Sequence, residues 1–120
     1  MEAQPRIGKI TVSPEVLETI VRLTALAVPG VARLTAAPGV ARLLRHEDVQ
    51  ISVSGNCVRA EVYAITEPDA NLLRVGRQIQ AEVTRAIQDL VGMDVESVDV
   101  YIEDVAFPPA GKRKVNETKG

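Results

Sequence analysis

Aromatic side chains are almost missing: 120 residues contain no Trp, one Phe (Phe107) and two Tyr (Tyr63, Tyr101). The core must therefore be packed from Val, Ile, Leu and Ala. The single cysteine, Cys57, excludes an internal disulfide and fits a reducing compartment. The single histidine, His46, leaves most positions of a zinc site unfilled, and its neighbours Glu47 and Asp48 are too close along the chain to close around one ion. No run approaches the ~20 apolar residues that cross a bilayer. The opening "MEAQPRIGK" lacks the apolar stretch of a signal peptide, so a cytoplasmic location is expected. The sequon at Asn116 should then be idle. With a net charge of −2 there is no general attraction to nucleic acid or anionic lipid. No glycine-rich phosphate loop is present, nor the GXXG of some RNA-binding domains.

What remains is a chain 46% hydrophobic and 25% charged, the balance of a globular domain. "IGKITV" (Ile7 to Val12) alternates and is expected to be a short strand. Ser13-Pro14-Glu15 supplies a capping hydroxyl, a proline suited to the first helical position and an anion at the positive end of the helix dipole. The helix should run from Pro14 to about Val28, with Val16, Leu17, Ile20, Val21, Thr24, Ala27 and Val28 inward and a Glu18–Arg22 pair outward. Pro29-Gly30 ends it. The hexapeptide PGVARL then occurs twice, from Pro29 and from Pro38. Two hexamers cannot make a repeat architecture, which needs at least three units of roughly 20 to 50 residues. The first copy reads as a helix stop with an extended exit, and the second as a loop or short helix carrying Arg42, Arg45 and His46.

"VQISVS-GN-CVRAEVYAI" is a hairpin turning at Gly55-Asn56. The two-residue loop sets the register: Val53 opposite Val58, Ile51 opposite Ala60 and Val49 opposite Val62, with Ser54–Cys57, Ser52–Arg59 and Gln50–Glu61 on the other face. Thr66 or Glu67 should cap a second helix, with Pro68 in its first turn, that runs to about Val91 and closes at Gly92. Its inward stripe is Leu72, Gly76, Ile79, Val83, Ala86, Ile87 and Leu90. "VESVDVYIEDV" is the last strand, with Val98, Val100 and Ile102 on one face and Asp99, Tyr101 and Glu103 on the other. After Phe107-Pro108-Pro109 comes a polar tail carrying Lys112, Arg113, Lys114 and Lys119, expected to be mobile.

The predicted class is α+β, a two-layer sandwich in the order strand-helix-hairpin-helix-strand. Two helices pack on one face of a small mixed or antiparallel sheet, and the other face is open. Residues 1–107 form one domain and 108–120 the basic tail. Lys9, Gln50, Ser52, Arg59, Glu61, Tyr63, Asp99, Tyr101 and Glu103 should lie on the open face.

No catalytic residue, cofactor site or metal site is expected. Cys57 and His46 could serve as nucleophile and base, but nothing in the spacing brings them together. Asp94/Glu96 and Glu103/Asp104 are paired acids at the edges of a strand. The candidate interaction surface is Arg59, Glu61, Tyr63, Asp99, Tyr101 and Glu103 on the open face, with Arg42, Arg45 and His46 in the loop, because Tyr and Arg most often anchor interfaces. The alternative is a small RNA- or ribosome-associated module using the two tyrosines, against which Glu61, Asp99 and Glu103 would repel phosphate.

Three segments, "GKITVSPEV", "VPGVARL" and "RQIQAEVTRAIQDLVGMDVESVDVYIEDV", are similar in order and content to the alkaline-shock-protein family, over about Ile7 to Val105. The first PGVARL copy falls where that family carries its Gly-Val motif. The chain reads Ala64-Ile65-Thr66-Glu67 where relatives often have Tyr-Gly. The resemblance implies a non-enzymatic scaffold of the bacterial cell-envelope stress response, cytoplasmic or peripheral at the inner membrane face. It further implies that the protein associates with itself and with a protein partner, in some relatives a separate small membrane anchor. Some relatives are connected in a regulatory way to lipid metabolism.

Overall fold

The computed structural model describes residues 7–37, 39 and 47–107. Its elements are α1 (Pro14–Leu26), β1 (Val31–Leu34), β2 (Val49–Ser54), β3 (Cys57–Thr66), α2 (Leu72–Ala86) and β4 (Asp94–Val105). A π-helical turn, Ile87–Val91, extends α2, and Gly92 closes it in the left-handed conformation at φ 76°. The fold is α+β, with two helices on one face of a four-stranded mixed sheet.

β3 is the strand to which the others attach. β4 pairs with it in parallel along its whole length. β2 (opposite Cys57 to Val62) and β1 (opposite Ala64 to Thr66) follow one another antiparallel along its other edge. The β2–β3 register matches the six pairs expected from the Gly55-Asn56 turn, and Gly55 adopts φ 61°. α1 lies over β1 and β2, and α2 over β4. Between the layers sits an aliphatic core: Leu17, Val21, Ala25 and Val28 of α1 and its exit, Val75, Ile79, Val83 and Ile87 of the second helical segment, and Val49, Val58, Ala60, Val62, Ala64 and Val98 of the sheet.

Several expectations are corrected. Ile7 to Val12 is not a strand: Ile7 and Ile10 are 90% and 95% exposed, and Gly8 has φ 78°. The place beside β3 goes to Val31–Leu34, and Ile7 to Val12 pairs with no described strand. Lys9 is therefore not on the sheet. The strand at that point of the order is instead the exit from α1, Val31–Leu34, and the sequence of elements is helix-strand-hairpin-helix-strand. Thr66 and Glu67 do not cap the second helix. Thr66 is the fully buried last residue of β3, and Asn71 caps instead, its side-chain oxygen accepting from the Arg74 amide at 2.9 Å. Ser13 precedes α1 as expected, but its carbonyl rather than its hydroxyl accepts, from the Val16 and Leu17 amides. The inward stripes are also narrower than the pattern implied. Val16, Ala27, Leu72 and Leu90 are exposed, while Ala25 and Val75, outside the expected stripes, are buried. Arg22 makes its forked ion pair with Asp48 rather than with Glu18, at 2.9 to 3.2 Å, which ties α1 to the start of β2.

The two PGVARL copies differ in what their glycines face. A Cβ on Gly30 (φ 99°) would stand 2.6 Å from Val75 Cγ2 and 3.3 Å from Ala70 Cβ, whereas one on Gly39 (φ 71°) would meet nothing within 4 Å. Both glycines adopt a left-handed backbone, but only Gly30 is needed for close packing. Gly30→Ala should thus cost about 2 kcal/mol or more and Gly39→Ala about 1 kcal/mol, a difference that urea denaturation of the two variants measures. Thr66 is fully buried and its hydroxyl has no partner. Thr66→Val should raise stability by about 1 kcal/mol, the cost of a desolvated orphan hydroxyl, read as a higher midpoint in thermal unfolding.

Candidate interaction face

Alternation along β3 sends Val58, Ala60, Val62 and Ala64 under the helices, and Arg59, Glu61 and Tyr63 to the side that no helix covers. The parallel β4 register sets Ser97 beside Arg59, Asp99 beside Glu61 and Tyr101 beside Tyr63. The two phenol rings therefore stand side by side on adjacent strands. They stack with centroids 4.9 Å apart and an interplanar angle of 14°, an arrangement that contributes about 1 kcal/mol beyond area burial. The Tyr63 hydroxyl donates to Glu61 Oε1 at 3.0 Å. This bond gives the Glu61 carboxylate a donor although Asp99 lies opposite it in the ladder. Gln50, Ile51, Ser52, Arg59 and Glu61 border a small polar depression of about 170 Å³ next to the rings.

Tyr63 is half-buried, and desolvation pushes its phenol up to about 12, helped by the hydrogen bond to Glu61 and by the negative charge of Glu61. A bulge between Ala64 and Ile65 of β3 brings Glu103 and Asp104 of β4 to the end of the same face, where Glu103 adds to the negative field on Tyr63.

The structure brings together six of the residues that the alternation singled out: Arg59, Glu61, Tyr63, Asp99, Tyr101 and Glu103. Arg42, Arg45 and His46 lie outside the described residues. Cys57 is half-buried at the hairpin end of β3. Among the described residues no three His, Cys, Asp or Glu side chains are grouped so as to hold a metal ion. Among them, too, no helix is long and apolar enough to cross a membrane. Sequence reasoning missed a second feature, a groove of about 600 Å³ between α2 and β4 that is bordered by Leu72, Leu73, Val100 and Ile102. The signal was the Leu72-Leu73 pair, since adjacent residues of a helix cannot both face the core.

The model of the alkaline shock protein 23 (alkaline-shock-protein) family, described by that name and "cell envelope-related function", matches residues 2–107. The chain belongs to this family. Among the family's curated relatives, the uncharacterized protein YloU of Bacillus subtilis (strain 168) is 23% identical over 113 residues, covering 88% of this chain and 94% of its own. The uncharacterized protein YqhY of the same organism is 21% identical over 107 residues, covering 84% and 79%. Among solved structures, the copper form of MamM CTD superposes with a TM-score of 0.57 at 17% identity, over 78% of this chain and 97% of that one. At that identity the likeness is one of fold alone. The family description places the protein's role in relation to the cell envelope.

The raised value for Tyr63 has a consequence for stability. A phenol that holds its proton more tightly when folded contributes stability that is present below its ordinary value of about 10 and lost as pH rises through about 12. Ultraviolet titration of Tyr101→Phe, which leaves Tyr63 as the one tyrosine, should place its ionisation near 12. Glu61→Gln in that background should bring it down, and the stability of the parent protein should fall between pH 10 and 12.

Proposed function

We propose that this chain is a non-enzymatic interaction and scaffold protein of the bacterial cell-envelope stress response, acting by self-association and partner docking at or near the inner face of the membrane. The observation that carries this reading is the uncovered sheet face, with the Tyr63–Tyr101 stack set among Arg59, Glu61, Asp99 and Glu103. Two rings already held against one another lose little freedom when a partner covers them. Charges of both signs around them give such a contact its specificity. The family's cell envelope-related description points the same way. In this reading residues 1–107 act as one unit. The tail, with Lys112, Arg113, Lys114 and Lys119, adds an electrostatic contact to an anionic surface, and a separate membrane protein serves as anchor. No cofactor, metal or catalytic residue has a part in it.

The RNA- or ribosome-associated reading is weaker for a geometric reason. A base must stack on an open ring face, and here each tyrosine turns one face to the other inside a rim that includes Glu61, Asp99 and Glu103.

Sedimentation velocity over a wide concentration range tests the proposal. The wild-type chain should grow into larger species, and Tyr63→Ala/Tyr101→Ala, checked for folding by circular dichroism, should stay small. A wild-type chain that remains monomeric throughout removes self-association from the reading. A double variant that assembles as the wild type does removes the sheet face.

A further inference from the structure

β4 is twelve residues long, and among the described strands it pairs only with β3. Its outer edge presents a row of backbone donors and acceptors, interrupted by bulges at Glu96 and Glu103 and flanked by carboxylates. There is no Pro, no Lys or Arg, and no short length. Gln80 of α2 donates its side-chain amide to the Val98 carbonyl at 3.0 Å, and the Val105 amide donates to Asp104 Oδ1 at 2.8 Å, so the stretch available for pairing runs from Asp99 to Asp104. Beside that stretch lies the groove bordered by Leu72, Leu73, Val100 and Ile102, with Arg77 also lining it. Leu72 and Leu73 are 43% and 69% exposed there. Towards the sheet's uncovered face the same strand carries Asp99 and, at the bulge, Glu103 and Asp104. The outer edge of β2 offers less: six residues, beside a depression of about 170 Å³ that is mostly polar.

We propose that the outer edge of β4 between Asp99 and Asp104 receives an extended segment of a partner protein as an added strand. Its alternate side chains are apolar and basic. A strand's period of two sends successive side chains to opposite faces of the sheet. The apolar set enters the groove against Leu72, Leu73, Val100 and Ile102, and the basic set meets Asp99, Glu103 and Asp104. Arg77 at the groove repels a basic side chain from that side, which decides which set faces which way. Backbone hydrogen bonds supply the affinity and the two faces supply the specificity. The β4 strand of a second copy has the right alternation of apolar residues, but it would bring one acidic row against another. This inference rests on the reading of the chain as a docking module and gives the chemistry of what docks.

The test uses the full chain and a fluorescein-labelled peptide, Lys-Val-Lys-Leu-Lys-Val-Lys, followed by anisotropy. Saturable binding is expected. Two further peptides carry N-methyl groups on alternate amides, in one phase or the other. Only the phase whose amides face β4 should lose binding. Leu73→Asp should weaken the parent peptide at least about tenfold, and Asp99→Asn/Asp104→Asn about fivefold with a flatter salt dependence. Absence of saturable binding overturns the proposal, and so does equal binding of both methylated peptides, which would leave only side-chain charge. If saturating peptide dissolves assemblies seen in sedimentation, the edge is held by another copy of this chain and a foreign partner is overturned. Self-association that persists while the peptide fails sinks the edge assignment and leaves the docking-module reading standing.

Discussion

All three other strands draw their hydrogen bonds from the backbone of β3, and its side chains decide what each layer meets. Every second residue from Val58 to Ala64 is fully buried beneath the helices, while Arg59, Glu61 and Tyr63 between them reach the uncovered side. A one-residue slip of β3 would bury an arginine and a carboxylate and expose the aliphatic core. The constraint propagates outward. β2 is held in register by a two-residue turn, β4 by the α2 crossover, and β1 by what remains of the strand beyond β2. The Tyr63–Tyr101 stack follows from the same constraint, because parallel neighbours in register put like positions side by side.

The helical layer is fastened to this sheet by few specific contacts. The Arg22–Asp48 pair is partly buried and forked, and the hydrogen bond to Asp48 holds the guanidinium still more firmly in its charged form. Asp48 also offers its backbone carbonyl to the Tyr63 amide. One residue thus joins α1, the start of β2 and the middle of β3. Gly30 does similar work at the other end of α1. It lets the exit from that helix pass against Val75 and Ala70, and its carbonyl accepts from the Glu67 amide. With so few aromatic residues the core gains from the close fit of small aliphatic groups, which is why one added Cβ at Gly30 matters.

The two exposed features have different chemistry. The uncovered face is polar, with the Tyr63–Tyr101 stack and the Tyr63–Glu61 hydrogen bond at its centre. The β4 edge is backbone with an apolar groove on one side and carboxylates on the other. The family's described role relates to the cell envelope, and no described helix is long and apolar enough to cross a membrane.

The hairpin register, the polar and apolar faces of β3 and β4, the proline start of α1 and the glycine end of the second helix were all legible in the residues. Each is decided by contacts a few positions apart or by a strict period of two. So was the family likeness, carried by three segments in order. What the local pattern could not decide was who pairs with whom. Ile7 to Val12 alternates as a strand does, but the place on β3 goes to Val31–Leu34. Thr66 has the chemistry of a cap and is used as a buried strand end. Arg22 has a helical neighbour of opposite charge and chooses Asp48, 26 positions away. The groove beside β4 exists because α2 approaches the sheet with Leu72 and Leu73 turned past its edge. Competition for an edge, for a buried position or for a counter-charge is settled by the whole packing, and no stretch of sequence contains it.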